Sequence, residues 1–123
     1  MNSEHVPQFV SIAWPHIRSL HCRTVWRTRR VPKVTVHKGR TGGHGVTHYG
    51  SKRRRAKVEV WSDDDGDVST KVLVHELLHA RGLPHGRRLG KAFRGSVDKD
   101  ELSDWVISRF GLGSLCLGVQ ELA

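Results

Sequence analysis

The sequence predicts a small α+β domain, and three observations carry that reading. Residues 31–37 and 56–61 alternate apolar and polar side chains with the period of a strand. Residues 68–81 form a run that is apolar on most sides, with helix-start and helix-stop residues at its ends. Segments near both ends of the chain repeat apolar residues at helical spacing. At 123 residues the chain has room for one domain, spanning 1–123, and is too short for two.

The first helix is expected over residues 11–30. Trp14, Ile17, Leu20, Val25 and Trp26 fall close to one face there, and Arg18, Arg23, Arg27, Arg29 and Arg30 take the others. Pro15 would sit near its start, where a missing N–H costs little. A strand follows at 31–37, with Val34 and Val36 alternating with Lys33, Thr35 and His37. Residues 38–50 are rich in glycine and read as a loop, with a short strand at 46–49. That strand would pair with the one at 56–61 across a basic turn at 51–55. In the later strand Val58 and Val60 share one face, and Glu59 and Trp61 share the other.

Residues 63–67 make an acidic turn, and either Asp67 or Ser69 is a good N-cap for the helix after it. Carboxylates before a helix also suit its dipole. Val72, Leu73, Val74, Leu77, Leu78 and Ala80 make this helix apolar on most sides, as a buried central helix should be. Gly82 is placed to end it in a left-handed turn. A last helix is expected at 98–110, packed through Leu102, Trp105, Val106, Arg109 and Phe110, with Gly111 and Gly113 stopping it. The layout is an N-terminal helix, a short antiparallel sheet, a central helix and a C-terminal helix. The four tryptophans, Trp14, Trp26, Trp61 and Trp105, are expected in the core or in a cleft wall.

Composition narrows the class of function. No stretch of about 18 apolar residues occurs, so no membrane span is expected. Nothing resembles a secretory leader, which points to the cytoplasm. Cys22 and Cys116 read as free thiols in a reducing compartment, with one disulfide as the alternative. The net charge of +9 is uneven. Residues 1–60 carry 13 Lys/Arg against Glu4 and Glu59, whereas residues 61–123 carry 8 against 10 Asp/Glu. A basic N-terminal half favours polyanions, nucleic acid among them. Within it, Lys52, Arg53, Arg54, Arg55 and Lys57 form a run that could meet phosphates or simply be solvated. His44 and His48, four apart in the glycine-rich stretch, read as loop histidines.

The chemistry lies in the central helix, which contains His75-Glu76-Leu77-Leu78-His79. Residues four apart on a helix lie one turn apart on the same side, so two imidazoles can meet one metal ion. A catalytic zinc usually takes three protein ligands and a water. Zinc acidifies that water, and Glu76 stands where it can take the proton as general base. The pattern continues as Ala80-Arg81-Gly82-Leu83-Pro84-His85. Gly82 allows a sharp turn, Pro84 stiffens the segment after it, and His85 can swing back as third ligand.

Written out, these 11 residues are H-E-x-x-H-x-x-G-x-x-H, and the chain resembles zinc metallopeptidases of the zincin group with a metzincin-type motif. The resemblance implies a zincin-like α+β fold, one catalytic Zn2+, a protein or peptide substrate and hydrolysis of peptide bonds. It also implies that an antiparallel edge strand binds substrate as an added strand; Val58, Glu59, Val60 and Trp61 would fill that role. A tyrosine or histidine often helps stabilise the developing oxyanion in such enzymes, which makes Tyr49 a candidate transition-state stabiliser, with a plain surface or core tyrosine as the alternative reading. The chain departs from metzincins in lacking a methionine turn, since its sole methionine is Met1; Ser114-Leu115-Cys116 is a weak counterpart. His85-Gly86 with Phe93 resembles SprT-like proteins, although at longer spacing. Glutamate-type zincins take their third ligand from a later helix, and Asp100 or Glu101 would supply it here. Asp104 instead reads as an acceptor that orients a ligand histidine.

Two further readings stand beside the peptidase. One is a nucleic-acid-associated protein, either with a structural zinc or as an SprT-like protease acting on DNA-bound protein. The other is an inactive relative that uses the cleft for recognition.

Overall fold

The computed structural model describes residues 1–20, 30–39, 44–51, 53–82 and 99–113, apart from the side chains of 99–101. Among the described residues, three α-helices and a three-stranded mixed sheet make a small α+β domain, as expected. The elements are α1 (Val6–Arg18), β1 (Lys33–Lys38), β2 (Gly45–His48), β3 (Lys57–Ser62), α2 (Thr70–Arg81) and α3 (Lys99–Arg109).

The first helix begins earlier than its expected start and ends earlier too. Val6, Phe9, Val10, Ala13, Trp14 and Ile17 are all buried in α1, at spacings of three and four. The apolar face therefore opens at Val6, with Pro7 in the first turn. Pro15 lies inside the helix on its exposed side. Val25 and Trp26, expected on the same helix, fall outside the described residues. Before α1, residues 1–3 run beside 66–68. The Met1 N–H donates to the Val68 carbonyl and the Val68 N–H donates back to that of Met1, at 3.0 and 2.7 Å.

The strand order is β1-β3-β2. β2 and β3 are antiparallel, as expected of strands joined by a tight turn, with Val46 opposite Glu59 and Thr47 opposite Val58. β1 and β3 are parallel, with Val34 opposite Val58 and Val36 opposite Val60. The sheet is mixed, not purely antiparallel, because the chain passes from β1 to the far edge before returning through the middle. Gly50 is required in the β2–β3 turn: a Cβ there would stand 2.5 Å from the Arg54 carbonyl oxygen and 2.7 Å from the Ala56 nitrogen.

α2 has the ends its sequence promised. Ser69 is the N-cap, its hydroxyl accepting from the Val72 N–H at 3.2 Å. Gly82 is left-handed at φ 112°, and its N–H donates to the His79 carbonyl at 2.8 Å. Asp67 does not cap; its N–H donates to Asp63 Oδ1 within the acidic turn. Leu73, Val74, Leu77, Leu78 and Ala80 of α2 pack into one core with Val58 and Val60 of the sheet, the α1 face, and Leu102 and Val106 of α3. Each large side chain fully buried there contributes about 1.5–3 kcal/mol. Trp14 belongs to this core, whereas Trp105 is exposed and Trp61 is half-buried on the sheet face turned away from α2. Arg81 ties the end of α2 to the end of α1 by donating from Nε to the Arg18 carbonyl at 3.1 Å. Among the described residues, no helix is long and apolar enough to cross a membrane.

Candidate metal centre

The spacing of four on α2 brings His75 and His79 together. Their Nε2 atoms are 2.9 Å apart and their rings meet edge to face at 4.6 Å. His79 is buried and His75 half-buried. Two nitrogens on one tetrahedral zinc would stand about 3.3 Å apart, given bonds of about 2.0–2.1 Å. The pair thus needs to open by only a few tenths of an ångström to reach that spacing. His75 and His79 supply two of the three protein ligands a catalytic zinc usually takes.

Glu76 turns toward the sheet between the two histidines and is 7% exposed. A carboxylate so placed needs partners, and β2 provides one. The Thr47 hydroxyl lies 2.8 Å from Glu76 Oε1 and 3.0 Å from the Glu76 carbonyl oxygen, donating toward both. Gly45, two residues earlier on the same face, comes so close that a Cβ would stand 2.6 Å from Glu76 Cγ and 3.0 Å from both Cδ and Oε2. Thr47 and Gly45 thus form a fitted seat for the carboxylate.

Sequence alone singles out neither residue. The available signal is alternation: Gly45 and Thr47 are small and lie on one side of the strand, Val46 and His48 on the other. On β2 the inner side is where Glu76 comes closest, which leaves room only for small residues there.

The edge-strand expectation is corrected. Val58, Glu59, Val60 and Trp61 lie in β3, which is hydrogen-bonded on both sides, to β1 and to β2. The strand at the sheet edge next to α2 is β2. Tyr49 is not brought to the histidines. It is 55% exposed and lines a depression with Lys33, Lys57 and Glu59, residues of the sheet face turned away from α2. Asp104 gives no support to a ligand histidine either; its Oδ2 pairs with Lys71 Nζ at 3.1 Å, in the first turn of α2. His85 lies outside the described residues, as do Gly86, Phe93, Cys22 and residues 114–116. Asp100 and Glu101 lie in the first turn of α3, which packs against α2, and their side chains are outside the description. Among the described residues, no group of three or more His, Cys, Asp or Glu is arranged to hold a metal.

The sheet carries a second polar cluster. Glu59 on β3 accepts from His37 Nε2 on β1 at 3.0 Å and from His48 Nε2 on β2 at 2.8 Å, one imidazole on each oxygen. These two hydrogen bonds, with His48 the stronger influence, hold the Glu59 carboxyl below its ordinary value of 4.5. His48 is therefore a cross-strand partner of Glu59 and not a loop histidine, and His37 also packs on Trp61 at 4.9 Å.

Compared with known proteins, the chain matches no protein-family model, no curated sequence and no solved structure.

Proposed function

We propose that the chain is a zinc-dependent peptidase in which His75 and His79 hold the ion with a third ligand, His85 or else Asp100 or Glu101, and Glu76 is the general base. One observation carries this reading: two Nε2 atoms converge at 2.9 Å, and Glu76, next to His75 on the same helix, is a buried carboxylate with its own hydroxyl donor. A structural zinc site has no use for a seated carboxylate that is not among its ligands, whereas hydrolysis requires one.

Zinc bound there would polarise a peptide carbonyl and make a neighbouring water acidic near neutral pH. Glu76 takes a proton from that water and returns it to the departing amine. Thr47 holds Oε1 in one orientation, so the carboxyl does not have to be ordered during the reaction. Gly45 leaves the space Glu76 needs. The substrate enters as an extended peptide along the outer edge of β2, where its backbone adds to the sheet beside Glu76. Two cysteines read as free thiols fit action in the cytoplasm.

The test is metal content and peptide hydrolysis, measured on the intact chain and on Glu76→Gln. The proposal expects one zinc per chain in both proteins and hydrolysis in the first alone. Equal hydrolysis by the two would remove Glu76 as base, and a chain that never retains zinc would end the proposal.

A further inference from the structure

We propose that the sheet face turned away from α2 is a binding site for single-stranded nucleic acid. The inference is independent of the peptidase reading, because it uses the opposite side of the sheet. A depression of about 410 Å3 lies there, flanked by Lys33, Arg54, Arg55 and Lys57. Among the described residues its only carboxylate is Glu59, and both oxygens of Glu59 are already engaged by His37 and His48. Four cations therefore face one carboxylate. Among the described residues, Lys33, Arg54 and Lys57 have no ion-pair partner. Arg55 is fixed in place, donating from Nε and Nη2 to the Val31 carbonyl at 3.0 and 2.7 Å.

The register sharpens the point. Lys33 and Lys57 are direct partners across the β1–β3 pair. Like charges opposite one another destabilise a sheet, and a multivalent anion between them turns that repulsion into binding. Phosphodiesters supply such a row of negative charge, and each contact made would release counterions.

The same face offers rings as well as charge. Tyr49 is 55% exposed and lines the depression. Trp61, tilted against His37, lies further along β3 on the same side. A basic groove beside aromatic rings is the combination that holds an unpaired strand, with phosphates on the cations and bases on the rings. A free polyphosphate would use only the cations, and this difference separates the two ligands experimentally.

The probe is a labelled oligothymidylate of about 12 nucleotides, within the usual site size for such surfaces, titrated against the full chain across salt. Binding should weaken as salt rises, with a slope of about 0.7 per phosphate engaged. Lys33→Glu with Lys57→Glu should lose at least about tenfold in affinity and flatten that slope. Arg109→Glu, the same kind of change on α3, should stay within about twofold. Tyr49→Ala should lose about tenfold for the oligonucleotide and nothing for inorganic polyphosphate. Should the reversed charges unfold the sheet by circular dichroism, Lys33→Gln with Lys57→Gln carries the same test. Absence of binding at low salt overturns the proposal, as does an Arg109→Glu loss equal to that of the double variant. Indifference of oligonucleotide binding to Tyr49→Ala also overturns it, leaving a site for polyphosphate alone.

Discussion

The Thr47 hydroxyl stands 2.8 Å from Glu76 Oε1, a bond between the sheet edge and the middle of the histidine helix. It joins residues 29 apart in the chain, and it makes Thr47 a positioning residue for the proposed base. A hydrogen bond to a charged group is worth about 1.5–3 kcal/mol. Thr47→Val, which keeps the shape and removes the donor, should lower kcat by about tenfold to a hundredfold. KM and zinc content should change little, and Thr47→Ser should restore most of the rate. Steady-state kinetics on the three proteins decide this; an unimpaired valine variant would show that the hydroxyl does not position the base.

Gly45 makes the complementary prediction. An added methyl would meet Glu76 Cγ at 2.6 Å, so one of the two must shift. Gly45→Ala should destabilise the fold by about 1–3 kcal/mol, the usual cost of overpacking. Activity measured far below the melting temperature should fall further than the lost stability explains. A variant with normal melting and normal turnover would mean that the strand can move away freely.

Zinc content separates the ligand candidates. His75→Ala and His79→Ala should each abolish stoichiometric zinc. Of His85→Ala, Asp100→Ala and Glu101→Ala, one alone should do the same. Asp104→Asn should leave the metal in place, because Asp104 belongs to Lys71. Metal analysis of each purified variant reads this directly, and loss of zinc from Asp104→Asn would contradict it.

Acid sensitivity should trace in part to Glu59. Its carboxyl is held below 4.5 by its two histidine partners. The folded state therefore gains from the ionised form at pH above the ordinary carboxylate range. That gain is lost as pH falls through the lower, folded-state value. Melting curves taken downward from neutral pH should show this acid-side loss in the intact chain and a shallower one in Glu59→Gln. Parallel curves would mean that the cluster is indifferent to acid.

The sequence is most informative where one local rule suffices. Ser69, Gly82 and the apolar residues between them specify α2 unaided, and the spacing of His75 and His79 specifies their meeting. Strand alternation locates β2 and β3 to within a residue or so. The N-terminal helix is displaced from its expected span because Trp14 and Ile17 also fit a helix running onward, and only burial shows that the packed face opens at Val6. Sheet order is not legible, since alternation reveals which way residues point and not which strand lies between two others. For that reason the edge role that the resemblance implies for Val58–Trp61 has no check in the sequence, whereas the edges are β1 and β2. The seat of Glu76 is hidden on the same grounds: it depends on a contact between distant segments, and Gly45 and Thr47 have no local mark of it.

β2 has a further consequence for how this chain can change. Its four residues serve two surfaces by turns, with Gly45 and Thr47 against α2 and Val46 and His48 on the opposite side. Inserting or deleting one residue upstream in that strand would exchange the two sets. The threonine would leave the carboxylate, a valine would be forced into the space a glycine now occupies, and the histidine would leave Glu59. The length of this short stretch is therefore constrained more tightly than the identity of most residues in it, and an indel there would disable both faces at once.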